Sequence, residues 1–552
     1  MPSLSRLSRR RPARSVLEAL AAALLFALLT AVVTWPQPAQ WLTHTHGHHD
    51  ALFSMWRLAW IADALTTEPS ALFNAPIFHP ELRTLAYSDA VLLQGLLATP
   101  ALAVGAPVLP VYNVLLLAGP WLSALGAYLL VRSLTGQAWP AVIAGTVFGL
   151  LPYRIEHAMH LELQWSQWMP LTMWALHRTV RQGRAADGVL TGVFVLLQFV
   201  SCVYYGVFLL MLLTITTPVL LLVSARAPLI AVARALLVGA VIGAAPLVAY
   251  SAPYRANQQA FGGRGLGEID MWSATPGSFL SSPLENRLYG SSTSGYGAAE
   301  GRLMPGVLAL LLAILALIRP LTREIWVYAV ALVSSAVLAL GTHTPAYRIA
   351  LILVPPLSGL RAPARFGMLA ALAVAVLAGF GAAWLLGRIR HPIVRHAVAI
   401  VIVAGMTVEY ASRFGPLHPW LQRAPMYAAW LRTQPPGTVV DLPLPRGHAL
   451  PLFEAEWSYL GRTHGKPMAN GYSGYYPRSY LDLLGAMTGF PNRESLQALR
   501  ARDVRYVVVH EDRYKPADFF DFLSRLYATP GVVVVGRFGD PEYPAVVLRL
   551  DR

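Results

Sequence analysis

The sequence is poor in charged residues, in lysine and in cysteine. Only 13% of its 552 residues are charged, and lysine occurs only at Lys466 and Lys515, so arginine supplies nearly all of the net charge of +15. The single cysteine, Cys202, excludes an intrachain disulfide and leaves the compartment undetermined. The sequence has no internal repeat and no low-complexity segment, which argues against the paired halves of many transporters.

Apolar residues are abundant instead. They make up 55% of the chain, and the mean hydropathy is +0.49. Many apolar runs reach the roughly 17–25 residues that a helix needs to cross a bilayer, and they are too long and too evenly apolar for barrel strands. Much of the arginine lies at the ends of these runs, where it reflects the orientation of the spans in the bilayer. The positive charge therefore does not indicate a nucleic-acid partner. The sequence therefore predicts an all-α polytopic membrane domain.

Basic residues orient the predicted spans. The first apolar run is preceded by Arg6, Arg9, Arg10, Arg11 and Arg14. Because no small-residue cleavage site follows, we expect an uncleaved anchor with a cytoplasmic N-terminus. About eleven transmembrane helices fit, near residues 16–36, 111–132, 138–152, 165–180, 187–201, 205–225, 228–250, 303–319, 322–340, 367–387 and 393–410. We interpret residues 89–104 and 345–357 as juxtamembrane or re-entrant helices, and the odd number of spans places the C-terminus outside.

Three pieces of the chain are less apolar. Residues 37–88 and 251–302 are large outer loops of the membrane domain, which extends over residues 1–410. Residues 411–552 predict a small soluble extracytoplasmic α/β domain, because short β-branched runs alternate there with helical patterns. The predicted strands are 438–441, 506–510, 532–538 and 545–550, of which the last two form a hairpin; the predicted helices are near 478–488, 494–502 and 516–528.

The first outer loop carries the leading catalytic candidate, Asp50. A chain that only crosses a bilayer needs no loop of this length, and a carboxylate just outside the membrane indicates chemistry on a lipid-linked substrate. One face of the helix that follows carries Phe53, Trp56 and Trp60, which suits a helix lying on the bilayer surface, and Arg57 lies near the opposite face. The alternative is that Asp50 is only the N-cap of this helix, a position that aspartate favours.

Histidines cluster just before Asp50, at His44, His46, His48 and His49. His48 and His49 could supply two imidazoles to a divalent metal ion, with Asp50 as a third ligand. The alternative is a solvated His-rich loop, since no distant pair of cysteines or histidines completes a site. No cofactor is required by the sequence, and a divalent ion stays an open hypothesis.

The second part of the same loop contains further polar side chains. His79, Arg83 and Tyr87 supply hydrogen-bond donors, and Asp89 adds a second carboxylate. Together they are candidates for substrate binding. The alternative for Arg83 is contact with lipid headgroups.

Two arginines later in the chain oppose the positive-inside trend. Arg361 and Arg365 follow a re-entrant segment on the predicted outer side, where an arginine needs a partner, and a phosphate or pyrophosphate suits a guanidinium group. The alternative is an interfacial anchor that snorkels from the helix end.

The glycine-rich loop that ends near Glu268 has no preceding strand, so it predicts a mobile loop and not a nucleotide-binding fingerprint.

This arrangement resembles the GT-C class of membrane glycosyltransferases. The resemblance covers most of the chain: an N-terminal anchor, a large first outer loop with a carboxylate, and a soluble C-terminal domain. It also rests on local motifs, which are His49-Asp50 followed by Trp56 and Trp60, Ile77-Phe78-His79-Pro80 to Tyr87-Ser88-Asp89, Leu360 to Phe366, Asn470-Gly471-Tyr472-Ser473-Gly474, and Arg505 to His510. The sequence has a lone Asp50 after His49 where some relatives have paired acidic residues.

The resemblance implies a function on the extracytoplasmic face of the bacterial inner membrane. A sugar would pass from a polyprenyl-phosphate carrier to a glycan, lipid or protein acceptor, with inversion at the anomeric carbon. Asp50 would be the general base, and arginines would stabilise the phosphate leaving group. The residues implied to bind the substrate are His79, Arg83, Tyr87, Asp89, Glu268, Arg361 and Arg365.

Two other classes of function stay open. One is a transporter or flippase for a lipid-linked glycan, and the other is a non-enzymatic assembly factor for cell-envelope polymers. The lack of an internal repeat and the clustering of acidic residues in outer loops favour the enzyme.

Overall fold

The computed structural model describes residues 12–413, 415–420, 423–445 and 452–551. Of the predicted N-terminal basic residues, Arg6, Arg9, Arg10 and Arg11 lie outside this part. The chain divides into two compact units. The helical unit comprises the residues up to Trp41, Val114–Tyr250 and Gly263–Pro416, and the α/β unit comprises Leu42–Asn113, Ser251–Gly262 and Leu417–Arg552.

Helices and short helical turns make up the helical unit. Its α-helices are Pro12–Val33, Gln37–Gln40, Val108–Thr135, Ala138–Leu150, Tyr153–Glu156, Leu161–Gln164, Trp168–Gln182, Ala185–Ser201, Val203–Ser224, Leu229–Phe261, Leu266–Met271, Gly290–Thr293, Val307–Ile318, Ile325–Ala339, Pro345–Leu353, Gly367–Gly387 and Pro392–Tyr410. Its 3₁₀ turns are Pro276–Leu280, Ser294–Tyr296, Ala299–Gly301, Gly341–His343, Pro355–Gly359 and Pro363–Phe366. Two of these helices, Val108–Thr135 and Leu229–Phe261, also contribute residues to the α/β unit.

The predicted spans coincide with these helices. In the described part of the chain, seven helical segments are long and apolar enough to cross a membrane: Val16–Val33, Val108–Thr135, Ala138–Glu156, Val203–Ser224, Leu229–Phe261, Pro363–Gly387 and Pro392–Tyr410. Three further predicted spans are shorter apolar helices, and the predicted span at 165–180 is a helix that belongs to neither set. The chain is a multi-pass membrane protein, and the predicted fold class is confirmed.

One buried helix lies at the centre of the helical unit. Gly367–Gly387 packs against Val307–Ile318, Ile325–Ala339 and Ala138–Leu150, and almost all of its residues are buried. Its many alanines and glycines allow this close approach. A Cβ atom at Gly381 would lie 1.9 Å from the carbonyl oxygen of Leu312, so that position has no room for a side chain.

The α/β unit contains the strands. They are β1 (His44–His46), β2 (Leu417–Pro419), β3 (Thr438–Leu442), β4 (Val504–His510), β5 (Val532–Phe538) and β6 (Ala545–Leu550). Its α-helices are His49–Thr67, Leu92–Ala103, Met426–Arg432, Phe453–Gly461, Arg478–Ala486, Arg493–Arg500 and Pro516–Tyr527, and its 3₁₀ turns are Pro69–Ala71, Thr84–Tyr87, Met487–Gly489 and Glu511–Arg513. The predicted strands and the three predicted helices of this region are confirmed, whereas Met426–Arg432 and Phe453–Gly461 were not predicted.

The main sheet has the order β3-β4-β6-β5. β3 and β4 are parallel, while β6 is antiparallel to both β4 and β5. The predicted hairpin is the β5–β6 pair. β3 is buried along its whole length, and the continuous β-branched runs of β3 and β4 are typical of strands covered on both faces.

The first outer loop is hydrogen-bonded to a segment that lies beside this sheet. Residues 467–470 lie along β3, where the Val439 amide donates to the Pro467 carbonyl and the Ala469 amide donates to the Val439 carbonyl, both over 2.8 Å. On the other edge of residues 467–470, the Phe78 amide donates to the Asn470 carbonyl over 2.8 Å. Residues of the predicted loop 37–88 therefore fold together with residues of the predicted domain 411–552.

Candidate functional site

The helix His49–Thr67 positions Asp50 inside the α/β unit. Its apolar face is covered by protein, because it packs against Leu92–Ala103 and Phe453–Gly461. Phe53 and Trp56 are only 4% and 3% exposed. The expectation that these aromatic side chains lie on a bilayer surface is therefore wrong, since neighbouring helices of the same unit bury them.

Asp50 lies in the first turn of this helix and is not its cap. The N-cap is His48, whose Nδ1 accepts from the Asp50 amide over 3.2 Å. The carboxylate of Asp50 has other contacts: Oδ1 accepts from the hydroxyl of Tyr472 over 2.9 Å, and Oδ2 lies 3.3 Å from His48 Nδ1. Its side chain is 21% exposed. The N-cap alternative is wrong, and Asp50 is a partly accessible carboxylate that tertiary contacts hold at the positive end of a helix.

The two metal candidates lie beside Asp50. The rings of His48 and His49 are 5.9 Å apart. Burial, with help from His48, lowers the pKa of His49 below its ordinary value. Among the described residues, no group of three or more His, Cys, Asp and Glu side chains is arranged to hold a metal ion. The divalent ion stays a hypothesis from the sequence.

The remaining candidates of the first loop differ in exposure. Tyr87 is buried, with its ring 5.9 Å from that of Phe78, and Asp89 is also buried. His79 is half-buried, and burial lowers its pKa. Arg83 is exposed, and its Nε donates to Asn257 Oδ1 over 3.3 Å. Of the four predicted substrate-binding residues in the first outer loop, His79 and Arg83 are therefore the more accessible.

Arg57 is buried, although its position in the helical pattern indicated a polar face. It is 1% exposed, its guanidinium lies 4.4 Å from the Phe53 ring centre, and its Nη2 donates to Ser54 over 2.8 Å. Its Nη1 donates to the backbone carbonyl of Asp89. Arg57 thus ties the helix that carries Asp50 to the end of the first loop.

In the helical unit, Arg365 forms a buried ion pair with Glu300. The two side chains are 10% and 8% exposed, and the Arg365 guanidinium also lies 4.5 Å from the ring centre of Tyr204. Burial alone would raise the pKa of Glu300, but Arg365, with His157, lowers it to about 2. The carboxylate is therefore ionised, and a protein group already neutralises Arg365. The sequence pattern gave no signal for Glu300.

Arg361 is held more loosely. Its Nη1 lies 3.7 Å from Glu268 Oε1, and its side chain is 38% exposed. Arg264 Nη1 lies 3.1 Å from the same Glu268 oxygen. The glycine-rich loop is anchored here, because the Arg264 amide donates to the Ser358 carbonyl over 2.8 Å. Two guanidinium groups share one carboxylate, so this cluster carries net positive charge that can attract an anion.

An open apolar groove of about 680 Å³ lies elsewhere on the helical unit. Three helices form its walls: Val203–Ser224, Ile325–Ala339 and Pro345–Leu353. Its lining is almost entirely apolar and includes Trp326, Val333, Ile349 and Leu353. A hydrocarbon chain fits such a lining better than any polar ligand.

Comparisons with known proteins find similarity in structure but not in sequence. No family profile and no curated protein matches the chain. Arabinofuranosyltransferase AftD from Mycobacteria superposes with a TM-score of 0.60 at 15% identity, over 97% of this chain and 41% of that one. Archaeal oligosaccharyltransferase AglB from Archaeoglobus fulgidus superposes with a TM-score of 0.52 at 12% identity, over 89% of this chain and 69% of that one. The chain thus spans about two fifths of the length of the mycobacterial protein, and the likeness is one of fold.

Proposed function

Because the chain has the GT-C fold of these membrane glycosyltransferases, we propose that it is itself a glycosyltransferase. It transfers a sugar from a polyprenyl-phosphate carrier to an acceptor on the extracytoplasmic face of the membrane, with inversion. The archaeal neighbour is in complex with a dolichol-phosphate, which supports a carrier of this class. The observation that carries the proposal is the partly exposed Asp50 carboxylate, which accepts from the Tyr472 hydroxyl at a helix N-terminus.

Asp50 is the general base of the proposed reaction. Its carboxylate accepts the proton of an acceptor hydroxyl while that oxygen bonds to the anomeric carbon. The bond from the anomeric carbon to the carrier phosphate breaks at the same time, and the phosphate leaves with the electron pair. A single displacement of this kind inverts the anomeric centre. The Tyr472 hydroxyl fixes Oδ1, and we assign the incoming hydroxyl to Oδ2, which lies 3.3 Å from His48 Nδ1.

Arg361 is the residue that we assign to the carrier phosphate. It is partly exposed and 3.7 Å from its carboxylate partner, so it can turn to a phosphate without leaving a buried charge unpaired. Arg365 is less suited to direct contact, because its ion pair with Glu300 is buried. Its ion pair instead ties the turn Pro363–Phe366, which follows Arg361 in the chain, to Glu300.

The apolar groove of the helical unit is the proposed site for part of the carrier tail. Its volume of about 680 Å³ and its apolar lining suit a branched hydrocarbon. A donor with so long an apolar tail stays in the bilayer, because each buried CH₂ is worth roughly 0.8 kcal/mol. This cost explains why the enzyme is a membrane protein.

The proposal is tested with purified protein in sealed proteoliposomes and a panel of labelled polyprenyl-phosphate sugars. Wild type is compared with Asp50→Asn and with Asp63→Asn, an exposed carboxylate on the same helix. We expect transfer by wild type and Asp63→Asn, and none by Asp50→Asn at unchanged thermal stability. Equal transfer by all three removes Asp50 from the mechanism. Movement of the donor across the membrane without transfer supports the transporter instead.

A further inference from the structure

Glu454 is a fully buried carboxyl group in the α/β unit. It lies on the helix Phe453–Gly461 and has no exposed surface. Three donors converge on it. The Tyr480 hydroxyl and Asn470 Nδ2 donate to Oε1 over 2.6 and 3.2 Å, and the Gly471 amide donates to Oε2 over 3.0 Å. The group is therefore fully engaged, and two of its donors belong to one short segment.

Burial of this carboxyl group has a cost. Removing a charged group from water is unfavourable unless hydrogen bonds compensate. Burial raises the pKa of Glu454 to about 8, and the donors offset only part of that rise. A leucine or methionine would fill the same volume without this cost, so the value of Glu454 lies in what it holds in place.

The segment that it holds contains Asn470, which is fixed on two further sides. The Asn470 amide group pairs with the backbone of Asp441 in β3, accepting over 2.6 Å and donating over 3.0 Å. The Asn470 carbonyl accepts from the Phe78 amide. Glu454, β3 and the first outer loop thus determine the path of the chain at this residue.

The next two residues lead directly to Asp50. A Cβ atom at Gly471 would lie 2.8 Å from the Phe78 ring, so the chain passes close to that ring and only glycine fits without displacement. Tyr472 follows, and its hydroxyl donates to Asp50 Oδ1 over 2.9 Å. Its ring meets the Phe53 ring edge-on with the centroids 5.3 Å apart. The residue whose amide binds Glu454 therefore directly precedes the residue whose side chain binds Asp50.

We propose that Glu454 is a positioning residue for Asp50, acting through Asn470, Gly471 and Tyr472. Its carboxyl group fixes the backbone at Gly471, and the fixed backbone keeps the Tyr472 hydroxyl on Oδ1 of Asp50. The catalytic meaning of this chain of contacts rests on the proposed function, in which Asp50 is the base. The positioning itself is a property of the fold and can be measured separately.

The first experiment measures transfer by Glu454→Gln, Tyr472→Phe and the double variant. Glutamine keeps the volume of Glu454 but presents an NH₂ group, a donor, where one acceptor oxygen was. We expect each single variant to lower kcat about tenfold, because each loses or weakens the hydrogen bond from Tyr472 to the charged Asp50. The KM for the donor should stay within about twofold of wild type. Because both act through one contact, the double variant should be no slower than the slower single variant. Losses that multiply to about a hundredfold would overturn the proposal.

A matched control and a milder variant keep this experiment decisive. Glu494→Gln makes the same substitution at an exposed glutamate of the α/β unit and should leave kcat unchanged. If Glu454→Gln does not fold, Tyr480→Phe removes one of the donors to Glu454 while leaving the carboxyl group in place. It should lower kcat in the same direction but by less. A Tyr480→Phe protein with wild-type kcat would contradict the proposal.

The second experiment needs no activity. Hydrogen exchange followed by mass spectrometry compares wild type, Glu454→Gln and Glu494→Gln. In Glu454→Gln we expect faster exchange in residues 468–474 and also in residues 48–53, which contain Asp50. Unchanged exchange in both segments would sink the positioning role even if the protein is a transferase. Faster exchange in a protein that transfers no sugar would leave the positioning intact and remove only the proposed function.

Discussion

The hydroxyl of Tyr472 donates to Oδ1 of Asp50 over 2.9 Å, although the two residues are 422 positions apart in the chain. Both belong to the α/β unit, where backbone hydrogen bonds join the first outer loop to the C-terminal residues. The contact joins two motifs that the sequence singled out separately. It also makes the segment around Tyr472 a place where substitutions report on Asp50.

Gly471→Ala should displace Tyr472 from Asp50. The added methyl group would meet the Phe78 ring at 2.8 Å, and overpacking of this kind typically costs about 1–3 kcal/mol. We expect a lower melting temperature and about a tenfold lower rate of transfer, since the loss of a hydrogen bond to a charged group is of that order. Gly485→Ala is the control, because nothing lies within 4 Å of its added atom. Equal effects of the two substitutions would contradict this role of Gly471.

The free energy of unfolding of wild type should decrease as the pH rises from about 5 to 8, more steeply than that of Glu454→Gln. Burial raises the pKa of Glu454 from its ordinary value of 4.5 to about 8 in the folded protein. Below pH 4.5 both states are protonated, whereas at intermediate pH only the folded state keeps the proton. Raising the pH therefore favours unfolding, by up to roughly 1.4 kcal/mol per pH unit, until the folded state also ionises near pH 8. Melting temperatures of both proteins at pH 5, 7 and 9 in one detergent test this, and parallel curves would refute it.

Glu300→Gln should strongly destabilise the protein. It leaves the buried Arg365 guanidinium without its carboxylate, and loss of one partner of a buried pair costs about 3–5 kcal/mol. Asp482→Asn removes one partner of the exposed pair with Arg478 and should cost less than about 1 kcal/mol. Denaturant unfolding in detergent compares the two variants. If they unfold at the same midpoint, the Arg365–Glu300 pair does not contribute to stability as its burial indicates.

Arg361→Gln should weaken binding of the donor and leave the protein folded. Arg361 is partly exposed and only 3.7 Å from Glu268, so its removal creates no buried unpaired charge. Loss of a charge-assisted bond to phosphate predicts about a tenfold higher KM for the polyprenyl-phosphate sugar, and also a lower kcat, because the same bond stabilises the leaving phosphate. Arg319→Gln, at an exposed helix end, is the control and should leave KM unchanged. A wild-type KM in Arg361→Gln would exclude Arg361 from phosphate binding.

Local patterns predicted much of the fold. Each predicted span coincides with a helix, and β3 to β6 coincide with the β-branched runs. Asp50 was also singled out from its loop, and the segment Asn470 to Gly474 from its resemblance. The helices and strands depend on short stretches of neighbouring residues, which is why one sequence sufficed for them, whereas the role of Asp50 stays a prediction.

The surroundings of the candidate residues were less predictable. The spacing of Phe53 and Trp56 shows that one helix face is apolar, but lipid and protein can cover such a face equally well. The structure shows protein there. Arg57, which we expected near a polar face, is likewise buried against Phe53. The hydrophobic periodicity of a helix predicts that one face is buried, but it does not predict whether lipid or protein buries that face.

By itself, the sequence determined that this chain crosses a membrane repeatedly and ends in a small sheet, because span length and strand composition are local properties of a chain in lipid or water. Only the tertiary structure decided that Tyr472 holds Asp50, that Glu300 neutralises Arg365, and that Glu454 lies buried behind Gly471. Contacts of this kind depend on the path of the backbone between distant residues. That path is fixed by the summed packing of the whole unit and has no signature at either residue alone.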